Sequence, residues 1–428
     1  MKYIVAAIVL CCLTGCKWFG HDDPQPEDDT WSKVMILYSA GFNSLSEALK
    51  SDIEDLKSGY LPGEKDRRAL IIVGHHTKVG SIYQNATSPQ IIRLYKDKKN
   101  RPVMDTLKTY SKTDLLSVPS VMEDALTYVR DNFKSEHYGL ILSSHGTGWL
   151  PEGYYADPES STVWWAPRRD AVSRRMFQGG GVPYVEEVLP GPAVKSFGQE
   201  IVKASSSSQS ISYEMDIRDL AGSIPMHLDY LMFDVCLMGG VEVAYELKDV
   251  CDRICFSQTE VLDEGFDYEN ITMRLLAPKT ADPGAVCKDF YDYYMAQSGE
   301  YRSATISMID CSGLDALASA CKDIFAAHRT ELAALKPSAV QGYFRFRKHW
   351  FYDLEDILVK AGMTSSESAR LQQALSSCVV YKAHTPQFFG ADIKTHCGLS
   401  MYLPCDGSDK LDSYYRSLAW NRAAGLVE

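Results

Sequence analysis

The chain has 428 residues, with 44 lysines and arginines against 56 aspartates and glutamates and a formal net charge of −12. That acidity argues against nucleic acid as a partner, because phosphate recognition needs a basic surface. Apolar residues make up 45% of the chain, enough over this length for a substantial core in one large or two modest domains.

Residues 1–15 read as an export signal. Lys2 supplies the positive start, and Ile4 to Leu13 is an apolar run too short to span a membrane. Leu13-Thr14-Gly15-Cys16 resembles a bacterial lipobox, in which Cys16 becomes the lipidated first residue of the mature chain. Residues 16–32 then form a disordered tether, since Gly20 to Asp29 is acidic and proline-bearing with little to bury. An acidic tract so close behind an anchor resembles the signal that sends some lipoproteins to the cell surface. The expected location is therefore the outer membrane or cell surface, lipid-anchored after export. Nothing later in the chain reaches membrane-spanning length.

From residue 33 strand-like and helix-like segments alternate. Strands are expected at Lys33–Tyr38, Ala69–Val73, Tyr138–Ser143, Tyr230–Val235, Arg253–Ser257 and Ala304–Ile309. Helices are expected at Ser44–Leu56, Pro119–Phe133, Tyr213–Ile224, Gly240–Val250 and Ala285–Met295. Pro119 sits in a first turn, where proline is tolerated. This alternation implies an α/β fold with a mainly parallel central sheet between helical layers. Helices dominate from Gly313 to Cys378, with strands expected at Val379–Ala383 and Leu399–Leu403. The expected division is a core at 33–310 and a C-terminal subdomain at 311–428 packed on it.

Residues 151–212 are long for a connection within a compact domain, which marks them as functional or flexible. They contain Trp164-Trp165, Arg168-Arg169, Arg174-Arg175, Gly179 to Gly181 and the serine run Ser205 to Ser208. A helix is expected at Val194–Ala204.

Of 12 cysteines, Cys11, Cys12 and Cys16 fall in the signal, and the rest show no CxxC pair. Nine is an odd number, so a monomer keeps at least one free thiol. An exported location permits disulfides, but spacing assigns none. Cys251 and Cys255, with Cys397 and Cys405 near His396, read as scattered buried thiols in preference to metal ligands.

Two runs carry chemistry. Leu140-Ile-Leu-Ser-Ser-His145-Gly146 and Tyr230-Leu-Met-Phe-Asp234-Val-Cys236-Leu-Met-Gly239 are each an apolar strand that stops at a reactive residue. Ligands of open parallel sheets bind beyond the carboxyl ends of the strands, so His145 and Cys236 can meet in one cleft. A cysteine nucleophile with a histidine base is the logic of a cysteine peptidase. Backbone N–H groups of Gly146 and Cys236 could cradle an oxyanion. Asp234 lies on the same side of its strand as Cys236 and needs a cationic partner there. A thiol beside a following helix N-terminus would also feel the helix dipole.

Together these motifs resemble the clostripain family of cysteine peptidases. The likeness includes Val34-Met-Ile-Leu-Tyr-Ser-Ala-Gly41, His145-Gly-Thr-Gly-Trp149, Glu214-Met-Asp-Ile-Arg-Asp-Leu-Ala221, Glu242, Ser257-Gln258 and Gly265-Phe-Asp-Tyr268. It covers about residues 33–276, with a less distinctive C-terminal third. The resemblance implies a caspase-like three-layer α/β/α sandwich with a helix-rich C-terminal extension and a His145–Cys236 dyad. It also implies that Asp234 receives arginine or lysine before the scissile bond, so the expected partners are protein or peptide substrates carrying those residues. Ala40-Gly41-Phe42-Asn43 departs from the family, which usually has an acid after the glycine. Glu260, Asp263, Glu264 and Asp267 are solvated loop acids or added negative charge near the cleft. No cofactor is expected; calcium dependence occurs in the family, but no EF-hand spacing supports it here.

Some members of that family are processed between the same two motifs. The insert offers Arg168, Arg169, Arg174, Arg175, Lys195 and Lys203 as self-cleavage sites, unranked by sequence. Two rival readings remain: a catalytically silent surface binding protein of the same fold, and a cysteine amidase or transpeptidase acting on cell-wall peptides.

Overall fold

The computed structural model describes residues 30–77, 87–152, 154, 214–344 and 350–428. It also describes the backbone of four short strands at Val182–Tyr184, Val194–Lys195, Glu200–Lys203 and Ser210–Tyr213. Cys16 and the tether lie outside the described residues. Among the described residues, no helix is long and apolar enough to cross a membrane.

The central sheet is built from β1 (Lys33–Gly41), β2 (Arg68–His76), β3 (Gln90–Lys96), β4 (Pro102–Thr109), β5 (Tyr138–Ser143), β6 (Tyr230–Asp234), β7 (Arg253–Phe256), β8 (Thr305–Asp310) and β9 (Val379–His384). Their spatial order is β9-β8-β7-β6-β5-β1-β2-β3-β4. The middle five strands run parallel. β5 and β6 are buried at every position, as continuous apolar runs covered on both faces should be.

The expected parallel core is present, and antiparallel strands flank it on both sides, which makes the whole sheet mixed. On one side, two helices rather than one separate β7 from β8: α5 (Tyr268–Leu275) and α6 (Pro283–Met295). An out-and-back helix pair returns the chain to the end it left, so β8 descends where a single crossover would make it ascend. On the other side, β3 and β4 form a hairpin that the apolar pattern does not announce. β4 is exposed along most of its length, as an edge strand can be.

Helices cover both faces. α1 (Ser46–Ser58), α5 and α6 pack in one row, while α2 (Pro119–Asn132), α3 (Ile217–Gly222), α4 (Val241–Leu247), α7 (Leu314–Ala327), α8 (Ser365–Cys378) and α9 (Ala419–Ala424) pack in the other. The fold is the expected three-layer α/β/α sandwich. Buried apolar side chains from Val34 to Val427 form one continuous core. The C-terminal third contributes β9 to the central sheet and much of one helical layer.

Candidate active site

Residues His145 and Cys236 are brought together by strand register. β5 and β6 are adjacent and parallel, with Asp234 opposite Ser143. Two residues beyond each lie Cys236 and His145, at the carboxyl ends of the strands. Both are nearly enclosed, with 1% and 7% of their surface exposed.

The Cys236 thiol is fixed by the segment after β7. The Val261 N–H donates to its Sγ at 3.2 Å, and the Val261 carbonyl lies 3.6 Å from it. An N–H aimed at sulfur interacts more strongly when the sulfur is negative. This donor differs from the one expected, since α4 begins only at Val241. Leu237, next after the cysteine, holds φ at 61°, unusual for a residue with a side chain. Its N–H is tied to the Thr259 carbonyl at 2.9 Å, which helps maintain the bend.

His145 is held from the other side. Its Nε2 lies 2.9 Å from the Ser44 Oγ, just before α1. Sequence reading assigned Ser44 no role. Gly148 has φ 61°, and a Cβ there would lie 2.5 Å from Phe351 and 2.6 Å from the Leu237 carbonyl, so only glycine lets the two motif loops approach so closely. Trp149 is buried against Tyr402 and Tyr415, with ring centroids 4.9 and 5.1 Å away. His76, at the end of β2, is a structural histidine. Its Nε2 meets the Ser39 hydroxyl at 2.9 Å, and burial lowers its pKa to about 3, which keeps it neutral.

Asp234 has no exposed surface. Its Oδ2 accepts hydrogen bonds from Tyr268 at 2.8 Å and from Ser143 at 3.1 Å. Tyr268 thus gains a reason for its place in the family likeness. Burial foremost, then the Asp234 charge, raises the Tyr268 pKa well above the ordinary tyrosine value. Of the nearby acids, Glu260 is buried, while Asp267 caps α5 by accepting from the Asn270 N–H.

A second layer of residues supports the loop after Cys236. Gly239 N–H bonds the Ser257 carbonyl at 2.7 Å. Thr305 Oγ1 accepts from the Gln258 and Thr259 N–H groups, both at 3.0 Å. Gln258 reaches the C-terminal third through the Gly398 carbonyl at 2.9 Å and His396 at 2.7 Å. Glu242, in the first turn of α4, is fully buried and accepts from the Tyr402 N–H at 2.8 Å and the Tyr415 hydroxyl at 2.7 Å. Burial pushes its pKa up to about 7. The C-terminal third therefore braces both motif loops. Asp216, from another motif, caps α3 and binds Arg218 and Tyr414.

Where a helix was expected at Val194–Ala204, the described positions, Val194–Lys195 and Glu200–Lys203, are strands. Glu200–Lys203 pairs antiparallel with Ser210–Tyr213, and Val194–Lys195 pairs antiparallel with Val261–Leu262. Apolar spacing suggested a helix, but these segments find partners distant in sequence, which spacing does not encode. Arg168, Arg169, Arg174 and Arg175 lie outside the described residues.

All nine described cysteines are free thiols. Cys251 lies beside Cys311, with sulfurs 3.9 Å apart, and not in a cluster with Cys397 or Cys405. Among the described residues, no group of three or more His, Cys, Asp and Glu residues could hold a metal ion.

Comparison with known proteins gives the family. The Clostripain family pattern matches residues 37–167 and 207–423. Clostripain of Hathewaya histolytica is 23% identical over 264 residues, spanning 57% of this chain and only 42% of that relative. An inactive zymogen C11 protease from Parabacteroides distasonis superposes with a TM-score of 0.69 at 25% identity, over 92% of this chain and 98% of that chain. A secreted C11 cysteine protease from Bacteroides thetaiotaomicron, in complex with an irreversible peptide inhibitor, gives 0.69 at 22% identity over 92% and 99%. That second likeness is one of fold.

Proposed function

Since this chain belongs to the clostripain family of cysteine peptidases, we propose that it is an exported, lipid-anchored endopeptidase cutting after arginine or lysine through a Cys236–His145 dyad. The observation that carries this reading is the β5–β6 register, which ends two adjacent strands at a thiol and an imidazole. Cys236 attacks the scissile carbonyl as its proton passes to His145. With Nε2 engaged by Ser44, Nδ1 is the nitrogen that exchanges this proton. Backbone N–H groups of Gly146 and Cys236 stabilise the oxyanion, a contribution commonly worth about 10²–10³-fold per donor. The leaving amine takes the proton from His145, and water then hydrolyses the thioester. Asp234 draws in the guanidinium or ammonium of the residue before the cut.

Incubation of the purified protein with a mixed peptide panel, read by mass spectrometry, tests the activity. New carboxyl termini should be arginine or lysine. Turnover of cell-wall fragments without cleavage of basic peptides, or turnover of neither, would sink the reading.

Cys16, behind its lipobox and ahead of an acidic tether, is the proposed anchor at the outer membrane or cell surface. Cys16→Ser should move the protein from the membrane fraction to the soluble one. A mature chain that carries no lipid would remove the anchor.

A further inference from the structure

We propose that Cys251 and Cys311 join in a disulfide when the chain is exported, locking β7 to β8 while Cys236 on the far edge of the same sheet stays a thiol. The proposal rests on the export reading above and stands apart from the peptidase reading. Its basis is proximity: the two sulfurs lie 3.9 Å apart and both residues are buried. Backbone pairings hold them there. Cys251 bridges Leu228 in parallel. The Cys311 N–H donates to the Asp252 carbonyl at 3.0 Å, just beyond the Arg253–Asp310 pair that closes the β7–β8 ladder. A disulfide needs two backbones that are already close. The ladder supplies that closeness, and side-chain rotation closes the remaining gap.

The two cysteines are 60 positions apart, which is why spacing alone did not pair them. Between them run β7, α5, α6 and β8. The same stretch carries Val261, whose N–H meets the Cys236 sulfur, and Gln258, Thr259 and Thr305, which support the loop after it. In the chain-entropy account, a cross-link across so long a loop stabilises the fold by restricting the unfolded chain. Its position protects the nucleophile. β6 and β7 are parallel, so Cys251 lies before the amino end of β7, whereas Cys236 follows the carboxyl end of β6. The length of the strands separates the pair from the nucleophile, so the pair can oxidise without drawing Cys236 in.

The oxidant is a disulfide of the exported compartment, either a small molecule or a protein thiol oxidase. One cysteine thiolate attacks a sulfur of that disulfide, and half of the oxidant leaves as a thiol. The second cysteine then attacks the protein sulfur of the mixed disulfide and releases the other half. Two protein S–H groups are oxidised, one external disulfide is reduced, and the two protons end on its thiols. The neighbouring Cys311 sulfur, then burial, raises the Cys251 thiol pKa above its ordinary value. Exchange is therefore slow once the site has closed, and the bond forms as the chain folds.

The test produces the full chain with its own signal in a bacterium with an oxidising envelope, and in parallel a chain lacking residues 1–15 that stays in the cytosol. Both are denatured in iodoacetamide, digested and weighed by mass spectrometry. In the exported chain the Cys251 and Cys311 peptides should be recovered linked to each other. In the cytosolic chain both cysteines should be alkylated, and refolding that chain in a glutathione redox buffer should create the link. Reduction should lower the melting temperature of the linked protein by about 3–8 °C. It should move Cys251→Ala/Cys311→Ala far less. Both cysteines alkylated in an exported chain, or either linked to a different cysteine, overturns the proposal. A full chain that is not exported but links in the redox buffer sinks the export reading and keeps the pair. Failure to link in either setting sinks the pair.

Discussion

Cys236→Ala will abolish peptide cleavage, and His145→Ala will lower kcat/KM by roughly 10²–10⁴-fold or more, the range for lost acid–base catalysis. Both residues sit at the ends of adjacent strands whose register is set by the core, so neither substitution should disturb folding. Thermal melts close to wild type would establish that. Ser44→Ala separates positioning from chemistry. Its hydroxyl lies 2.9 Å from the imidazole Nε2. Loss of one such bond costs ~0.5–1.5 kcal/mol, hence roughly 2- to 13-fold in kcat/KM. The limb of the pH profile that reports His145 should shift as well, a change that a merely structural role would not produce. Substituting Cys251 or Cys311 should leave cleavage intact in a folded protein. Retained activity in a clean Cys236→Ala preparation would sink the dyad.

Asp234→Asn will lose activity selectively on arginine and lysine peptides. Truncating one partner of a desolvated charge pair commonly costs ~2–5 kcal/mol, equivalent to roughly 30- to 5,000-fold in kcat/KM. The argument starts from cost: an enclosed carboxylate needs compensation, and an arriving cation supplies a charge-assisted bond. Tyr268 and Ser143 already donate to Oδ2. The asparagine oxygen can accept both bonds, so the variant should fold. A purely structural Asp234 would instead depress all substrates equally. Residual turnover of neutral peptides is expected to match wild type. If a folded Asp234→Asn protein keeps its full basic preference, the determinant moves to the acids between Glu260 and Asp267. Glu260 is then the first to substitute, because it alone of these is buried beside the Val261 segment.

What the amino-acid sequence determined by itself is the central scaffold and the two strand-end positions proposed for the dyad. β1, β5 and β6 are legible because strands buried on both faces must be continuously apolar, and such runs stand out against an acidic chain. His145 and Cys236 are legible because each ends a run of that kind. What only the tertiary structure decided are the partners. Ser44 meets His145 across 101 positions and Tyr268 meets Asp234 across 34. The clamp of Tyr402 and Tyr415 on Glu242 spans 160 and 173. The β3–β4 hairpin escaped notice because an exposed edge strand needs little apolar patterning. Within the helix expected at Val194–Ala204, Val194–Lys195 and Glu200–Lys203 are strands, because pairing with distant chain overrode local spacing. Periodicity is a property of neighbours along the chain, set by the backbone repeat and by which face meets water. Register between strands far apart is set by the packing of the whole core, and it is register that sets the ends of β5 and β6, with His145 and Cys236, side by side.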